Sequence, residues 1–139
     1  MVIAPLSADS LAKLANGMAD SLVLAVARAW DTTGLIDPAR PGLLPSGCFR
    51  TETGKKLVVV APAMNTAMWL HPVTRVHLDV LQTWGVEKGG WVRVLEPVQK
   101  ELACGDTGAG AMRDWKEIVA FIETLFALNK MPGGDDGGA

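Results

Sequence analysis

Two stretches of this chain, "VIAPLSA" near its start and "VVAPAMN" at its centre, share one design: an apolar run, then Ala-Pro, then small or polar residues. The second follows a lysine pair as "KKLVVVAP", and its valines do not alternate with polar residues. A strand with one wet face would alternate. An unbroken apolar run describes a strand covered on both faces, the habit of parallel sheets flanked by helices. Each strand is expected to end at its Ala-Pro, because proline cannot donate to a ladder. In open α/β sheets ligands bind beyond the carboxyl ends of the strands, so both Ala-Pro stretches would deliver their next residues to one crevice.

The segments between the apolar runs support this reading. Ser7, Asp9 or Ser10 can cap a helix in which Leu11, Leu14, Ala15 and Met18 recur at helical spacing. "SLVLAVARAW" reads as a second helix ending near Trp30. Residues 31–54 carry three prolines and four glycines without any period, and read as a surface loop inserted into the domain. From Pro72 to Trp84 a helical face is outlined by Val73, Val76, His77, Val80, Leu81 and Trp84. "GWVRVLEP" is a third strand, "VQKELACGDTGAGAM" is glycine-rich and aperiodic, and "DWKEIVAFIETLFALN" is a closing helix. Asp114 would cap that helix, turning Ile118, Phe121, Ile122 and Leu125 inward. The tail 131–139 has the composition of a disordered end. The fold expected is therefore α/β with a parallel sheet, in one domain over 1–130. Only three strands are visible, and a buried strand at the first residue needs a neighbour on each side, so the N-terminal strands look absent and the first strand would leave an unpaired edge.

Composition excludes several functions. Of 139 residues, 49% are hydrophobic and 20% charged, enough for a packed core. Thirteen basic residues stand against 15 acidic ones without a basic run, which argues against nucleic-acid binding. The two cysteines, Cys48 and Cys104, form no CxxC pair and suggest neither a disulfide framework nor a zinc site, in keeping with a reduced, cytoplasmic protein. "LVLAVARAW" resembles a cleavage site only faintly. Asp9, Lys13 and Asp20 precede it and its apolar stretch is short, so neither a signal peptide nor a membrane span is expected.

Three places could carry chemistry. Ser7, Asp9 and Ser10 sit between a strand and a helix start, where side chains and first-turn amides can hold a phosphate or hydroxyls; equally, they can simply cap. Asn65 is a lone amide between Met64, Met68 and Trp69. It either caps a helix or meets a ligand, and its neighbours are either core or the apolar wall of a site. Cys104 lies in "LACGDTGAG", whose glycines at 105, 108 and 110 suit either a tight turn or a flap over a ligand. A thiol with an ordinary pKa of about 8.5 is mostly protonated at neutral pH and can donate a proton. Asp106 beside it disfavours the thiolate. His71 and His77 are further candidates for acid–base work, and Cys48 a weaker one.

Together, "IAPLSADSLAKLANGMADSL", "RAWD", "VAPAMNTAMWLHP" and "LACGDTGAGAM" resemble, in order, the flavin-dependent cysteine decarboxylases, above all those acting on phosphopantothenoylcysteine. The resemblance implies a Rossmann-like flavoprotein assembled as a trimer, with FMN and the active site at subunit contacts. It implies oxidation of the substrate thiol by FMN, loss of CO2, and reduction of the resulting enethiol to 4'-phosphopantetheine, a step of coenzyme A synthesis. On this pattern Asn65 would hold the substrate carboxylate and Cys104 would protonate the intermediate. Ser7, Ala8, Asp9, Ser10 and Ala63 would line the FMN site. Met68, Leu102, Ala103, Gly105, Asp106 and Met112 would complete the substrate site. Two departures stand out. The family's S-A-N-T is "SADS" here, which places Asp9 near the flavin, and the family's catalytic histidine lies upstream of its matching motifs, so another segment or another chain of a homotrimer or mixed trimer would supply it. The alternative is a regulatory subunit of the same family, of the phosphatase-inhibiting kind.

Overall fold

A computed structural model of the protein describes residues 1–36, 55–101 and 107–125. Strands β1 (Val2–Leu6), β2 (Val58–Pro62) and β3 (Val92–Val94) form a parallel sheet in that order. Strand β2 ends at Pro62, as expected, whereas β1 runs one residue past Pro5 to Leu6. Pro5 sits on the sheet edge, where its missing donor costs nothing, and the register shifts between Ile3 and Leu6.

Strand β2 is buried along its whole length, as its unbroken apolar run requires. Val58 and Val60 join one core cluster with Leu11, Leu14, Leu24, Leu78 and Leu81, while Val59 and Ala61 join another with Leu57, Leu95 and Ile118. The side chains alternate between faces with the two-residue period of a strand, yet both faces are covered. Each fully buried valine is worth about 1.5–3 kcal/mol relative to an exposed one.

The first cluster is roofed by helices α1 (Ala8–Ala15), α2 (Leu22–Arg28) and, after a short α3 (Thr66–Leu70), α4 (Pro72–Thr83). Helix α1 stops at Asn16, and Gly17 with φ +71° turns the chain away, so Met18 is exposed instead of extending the apolar stripe. In α4 the buried residues are Thr74, Leu78 and Leu81, spaced by four and three, whereas Val73 and Val76 face out. The expected face is thus rotated by about one residue. The buried Thr74 hydroxyl makes this possible by donating to the Met68 carbonyl at 2.5 Å, so it enters the core satisfied. Helix α5 (Trp115–Leu125) covers the other face through Ile118, Phe121 and Ile122, while Leu125 is exposed at its end. Asp114 accepts from the Lys116 amide at 2.9 Å, as an N-terminal cap should.

Two elements escaped the sequence reading. Strands β4 (Val98–Glu101) and β5 (Thr107–Ala111) pair antiparallel as a separate hairpin. At the other side of the fold, β1 has a neighbour on one side only among the described residues, and Val2 is 41% exposed. Most of the expected loop 31–54 and the whole tail 131–139 lie outside the described residues. The six loop residues that are described open on a turn in which buried Asp31 accepts from the Thr33 and Gly34 amides at 3.2 and 2.9 Å.

Candidate functional site

The parallel register brings the two Ala-Pro stretches side by side. Leu6 aligns with Pro62, and the Ala63 amide donates to the Leu6 carbonyl at 2.9 Å. The residues that follow each strand, Ser7–Ser10 and Ala63–Asn65, therefore leave the same carboxyl edge of the sheet on adjacent strands.

Ser7 is the N-cap of α1. Its Oγ accepts from the Ser10 amide at 3.1 Å and lies 3.1 Å from the Ser10 hydroxyl. The first-turn amides of a helix have no acceptor within it, so Ala8 and Asp9 offer backbone donors beside these hydroxyls. Asp9 does not leave a bare charge there, since its carboxylate reaches back one turn to Lys13 at 3.1 Å. Lys13 also holds Asp20 at 2.9 Å. The hydrogen bond to Asp20, then that to Asp9, raises the Lys13 pKa, and Lys13 in turn lowers that of Asp20.

Asn65 is exposed, not buried among its apolar neighbours, and it caps α3: its Oδ1 accepts from the Met68 amide at 2.8 Å. That bond fixes which way the carboxamide faces. A backbone donor demands the oxygen, so the NH2 end points elsewhere and offers its hydrogens to a ligand acceptor. The neighbours divide. Met64 and Trp69 pack against the core, and Met68 is half exposed on α3. Met112 packs partly into the cluster beneath α5.

Strand β5 closes this corner. Gly110, at φ +91°, lies so near the turn that a Cβ there would sit 2.7 Å from the Met64 carbonyl oxygen and 2.9 Å from Trp69 Cβ. In sequence these glycines suit a tight turn or a flap. One signal would have exposed the strand: apolar-polar "VQKE" and small-residue "TGAGA" flank a short gap, as in a hairpin whose second strand must fit beneath something bulky. Cys104, Leu102, Ala103, Gly105 and Asp106 lie outside the described residues. His71 accepts from the Val73 amide through Nδ1 at 3.2 Å, serving as the joint between α3 and α4. His77 is half-buried within α4. A cavity of about 520 Å³ lined by Arg28, Trp30, Trp84 and Trp91 opens at the other end, where α1 finishes and β3 begins, and takes no part in this edge.

A hydroxyl-and-amide ledge at one strand end beside an outward-facing amide at the next fits a ligand rich in acceptors, and comparison with known proteins gives the chain's family. The family model described as Flavoprotein matches residues 1–127. The chain belongs to that family. It is 40% identical over 126 residues to a probable phosphopantothenoylcysteine decarboxylase of Arabidopsis thaliana, covering 91% of this chain and 49% of the relative. It is likewise 40% identical over 121 residues to coenzyme A biosynthesis protein 3 of Saccharomyces cerevisiae, covering 87% of this chain and 17% of that protein. Among solved structures, a cysteine-to-serine mutant of PPC decarboxylase complexed with pantothenoylaminoethenethiol superposes with a TM-score of 0.63 at 36% identity, over 91% of this chain and 54% of the other. The FMN binding protein AtHal3 gives 0.64 at 35% identity, with the same coverages. This flavoprotein thus spans about half the length of its plant relative and of both solved chains. None of its helices, among the described residues, is long and apolar enough to cross a membrane.

Proposed function

We propose that this flavoprotein takes part in the FMN-dependent decarboxylation of phosphopantothenoylcysteine to 4'-phosphopantetheine, the coenzyme A step implied by its sequence. The observation that carries the reading is the committed oxygen of Asn65, which leaves a fixed NH2 donor beside the α1 ledge. Such a donor suits a substrate carboxylate and would be indifferent to a cation.

Ser7, Ala8, Asp9, Ser10 and Ala63 would hold the flavin. Their hydroxyls and first-turn amides match its acceptor-rich ring edge and side chain, and the Lys13 pairing offsets the charge of Asp9. When bound, FMN takes up the two electrons of thiol oxidation and returns them to the enethiol left by CO2 loss. Asn65 would anchor the carboxylate until it departs, with Met68 and Met112 as apolar neighbours. Cys104 would give its thiol proton to the carbon that is reduced, and Leu102, Ala103, Gly105 and Asp106 would flank it. Neither His71 nor His77 lies in the family's histidine motif, so the catalytic histidine would come from another segment or another subunit of a homotrimer or mixed trimer in the cytoplasm. The second reading, a regulatory subunit that keeps the flavin edge without turnover, would rest on the same Ser7–Ser10 ledge.

A flavin absorbance spectrum of the purified protein, alone and with a candidate partner, tests the first requirement. FMN binding is expected in at least one condition, and none in either would end the enzymatic reading. Replacing Cys104 with serine separates the two roles. An enzyme should release CO2 and then stall before reduction, whereas a regulator should be unaffected.

A further inference from the structure

Strands β4 and β5 do not pair one to one. Val98 aligns with Ala111 and Lys100 with Gly108, so Gln99 alone faces two residues, Ala109 and Gly110. This is a β-bulge with one extra residue, and both residues of the bulge turn their carbonyls to the same place. The Met64 amide donates to the Gly110 carbonyl at 3.0 Å, and the Thr66 hydroxyl donates to the Ala109 carbonyl at 3.3 Å. Successive carbonyls of a regular strand point in opposite directions. The left-handed φ of +91° at Gly110 breaks that alternation, and the absent Cβ lets the bulge settle against Met64 and Trp69. The residues gripped are those immediately before and after Asn65.

We propose that Gly110 and Thr66 are positioning residues for Asn65: the bulge in β5 clamps the 64–66 turn on both flanks and so sets the direction of the Asn65 carboxamide. The inference rests on the reading of Asn65 as a carboxylate anchor for its functional meaning, though not for its geometry. Bulges recur beside active sites, where they re-aim a side chain. Here the side chain lies on the neighbouring turn instead of on the bulge.

The test compares Gly110→Ala, Thr66→Val and Thr66→Ser in isotopically labelled protein. It follows the side-chain NH2 resonances of Asn65 and the hydrogen exchange of the Met68 amide, which Asn65 caps. Thr66→Val should shift the NH2 pair and speed Met68 exchange by about tenfold, the effect of roughly 1.4 kcal/mol, while Val59 and Val60 in the core keep their protection. Thr66→Ser keeps the hydroxyl and should restore wild-type behaviour. Gly110→Ala should do at least as much as Thr66→Val; should it fail to fold, the threonine pair decides alone. Unchanged Asn65 and Met68 signals in Thr66→Val overturn the proposal, as does an equal effect from Thr66→Ser. The KM for phosphopantothenoylcysteine should rise with the same variants while the flavin spectrum stays unchanged. Moved resonances with an unmoved KM would uphold the clamp and refute Asn65 as the carboxylate anchor.

Discussion

The proposed function gives Asn65 a second job beside its cap, on the same carboxamide, and a single atom change separates the two. The Oδ1 caps α3 through a 2.8 Å bond from Met68, and the NH2 faces outward. Asn65→Ala removes both and should cost about 1 kcal/mol of stability, the usual loss of an N-cap. Asn65→Asp keeps an acceptor oxygen, and Asp ranks with Asn as a cap, so its stability at neutral pH should stay within about 0.5 kcal/mol of wild type. The aspartate has no hydrogen to donate. A hydrogen bond to a charged group is worth roughly 1.5–3 kcal/mol. Its loss should weaken carboxylate binding by about 10- to 150-fold, with repulsion between like charges adding to that. Urea titration gives the first quantity, and KM or calorimetry with phosphopantothenoylcysteine and FMN gives the second. An Asn65→Asp protein as unstable as Asn65→Ala would refute the cap. One that binds the carboxylate normally would refute the donor.

Further expectations concern the scaffold. Leu81 is fully buried between α4 and the sheet, so Leu81→Ala should lose about 2–5 kcal/mol in urea unfolding, whereas Val76→Ala, at 58% exposure, should stay within about 0.5 kcal/mol. The Lys13–Asp20 pair should show in the pH dependence of unfolding. Asp20 has a depressed pKa, so its contribution is present above its ordinary value of 3.8 and fades as pH falls through the folded value. Lys13 has a raised pKa, so its share holds below 10.5 and fades as pH rises through the folded value. The urea midpoints of wild type and Asp20→Asn should differ at neutral pH, converge in acid, and draw together with added salt.

The parallel sheet was legible because burial on both faces of β2 leaves a mark in sequence, a run of valines with no polar interruption, set between helical stretches. The caps at Ser7 and Asp114 were legible for a similar local reason, since a side chain that satisfies its own helix needs only its neighbours in sequence. What stayed hidden depends on distant groups. The rotated face of α4 follows from a threonine hydroxyl that finds the Met68 carbonyl, a partner set by the turn between α3 and α4. Strand β5 is written in glycine and alanine, residues that signal a loop until Trp69 and Met64 are known to lie against them. In sequence Asn65 is a lone amide among Met64, Met68 and Trp69, with nothing to say which of them is buried. The turn after Pro62 carries it into solvent, leaving Met64 and Trp69 to the core.

Among the described residues β1 has one flank without a neighbour, and that has a thermodynamic corollary. Any polypeptide that docks along it recognises the native fold and ignores the unfolded chain, so its concentration enters the folding equilibrium directly. A ligand of this kind present at about a hundred times its dissociation constant adds roughly 2.7 kcal/mol. With such a partner bound, the melting point would be a property of the mixture, and dilution alone would lower it.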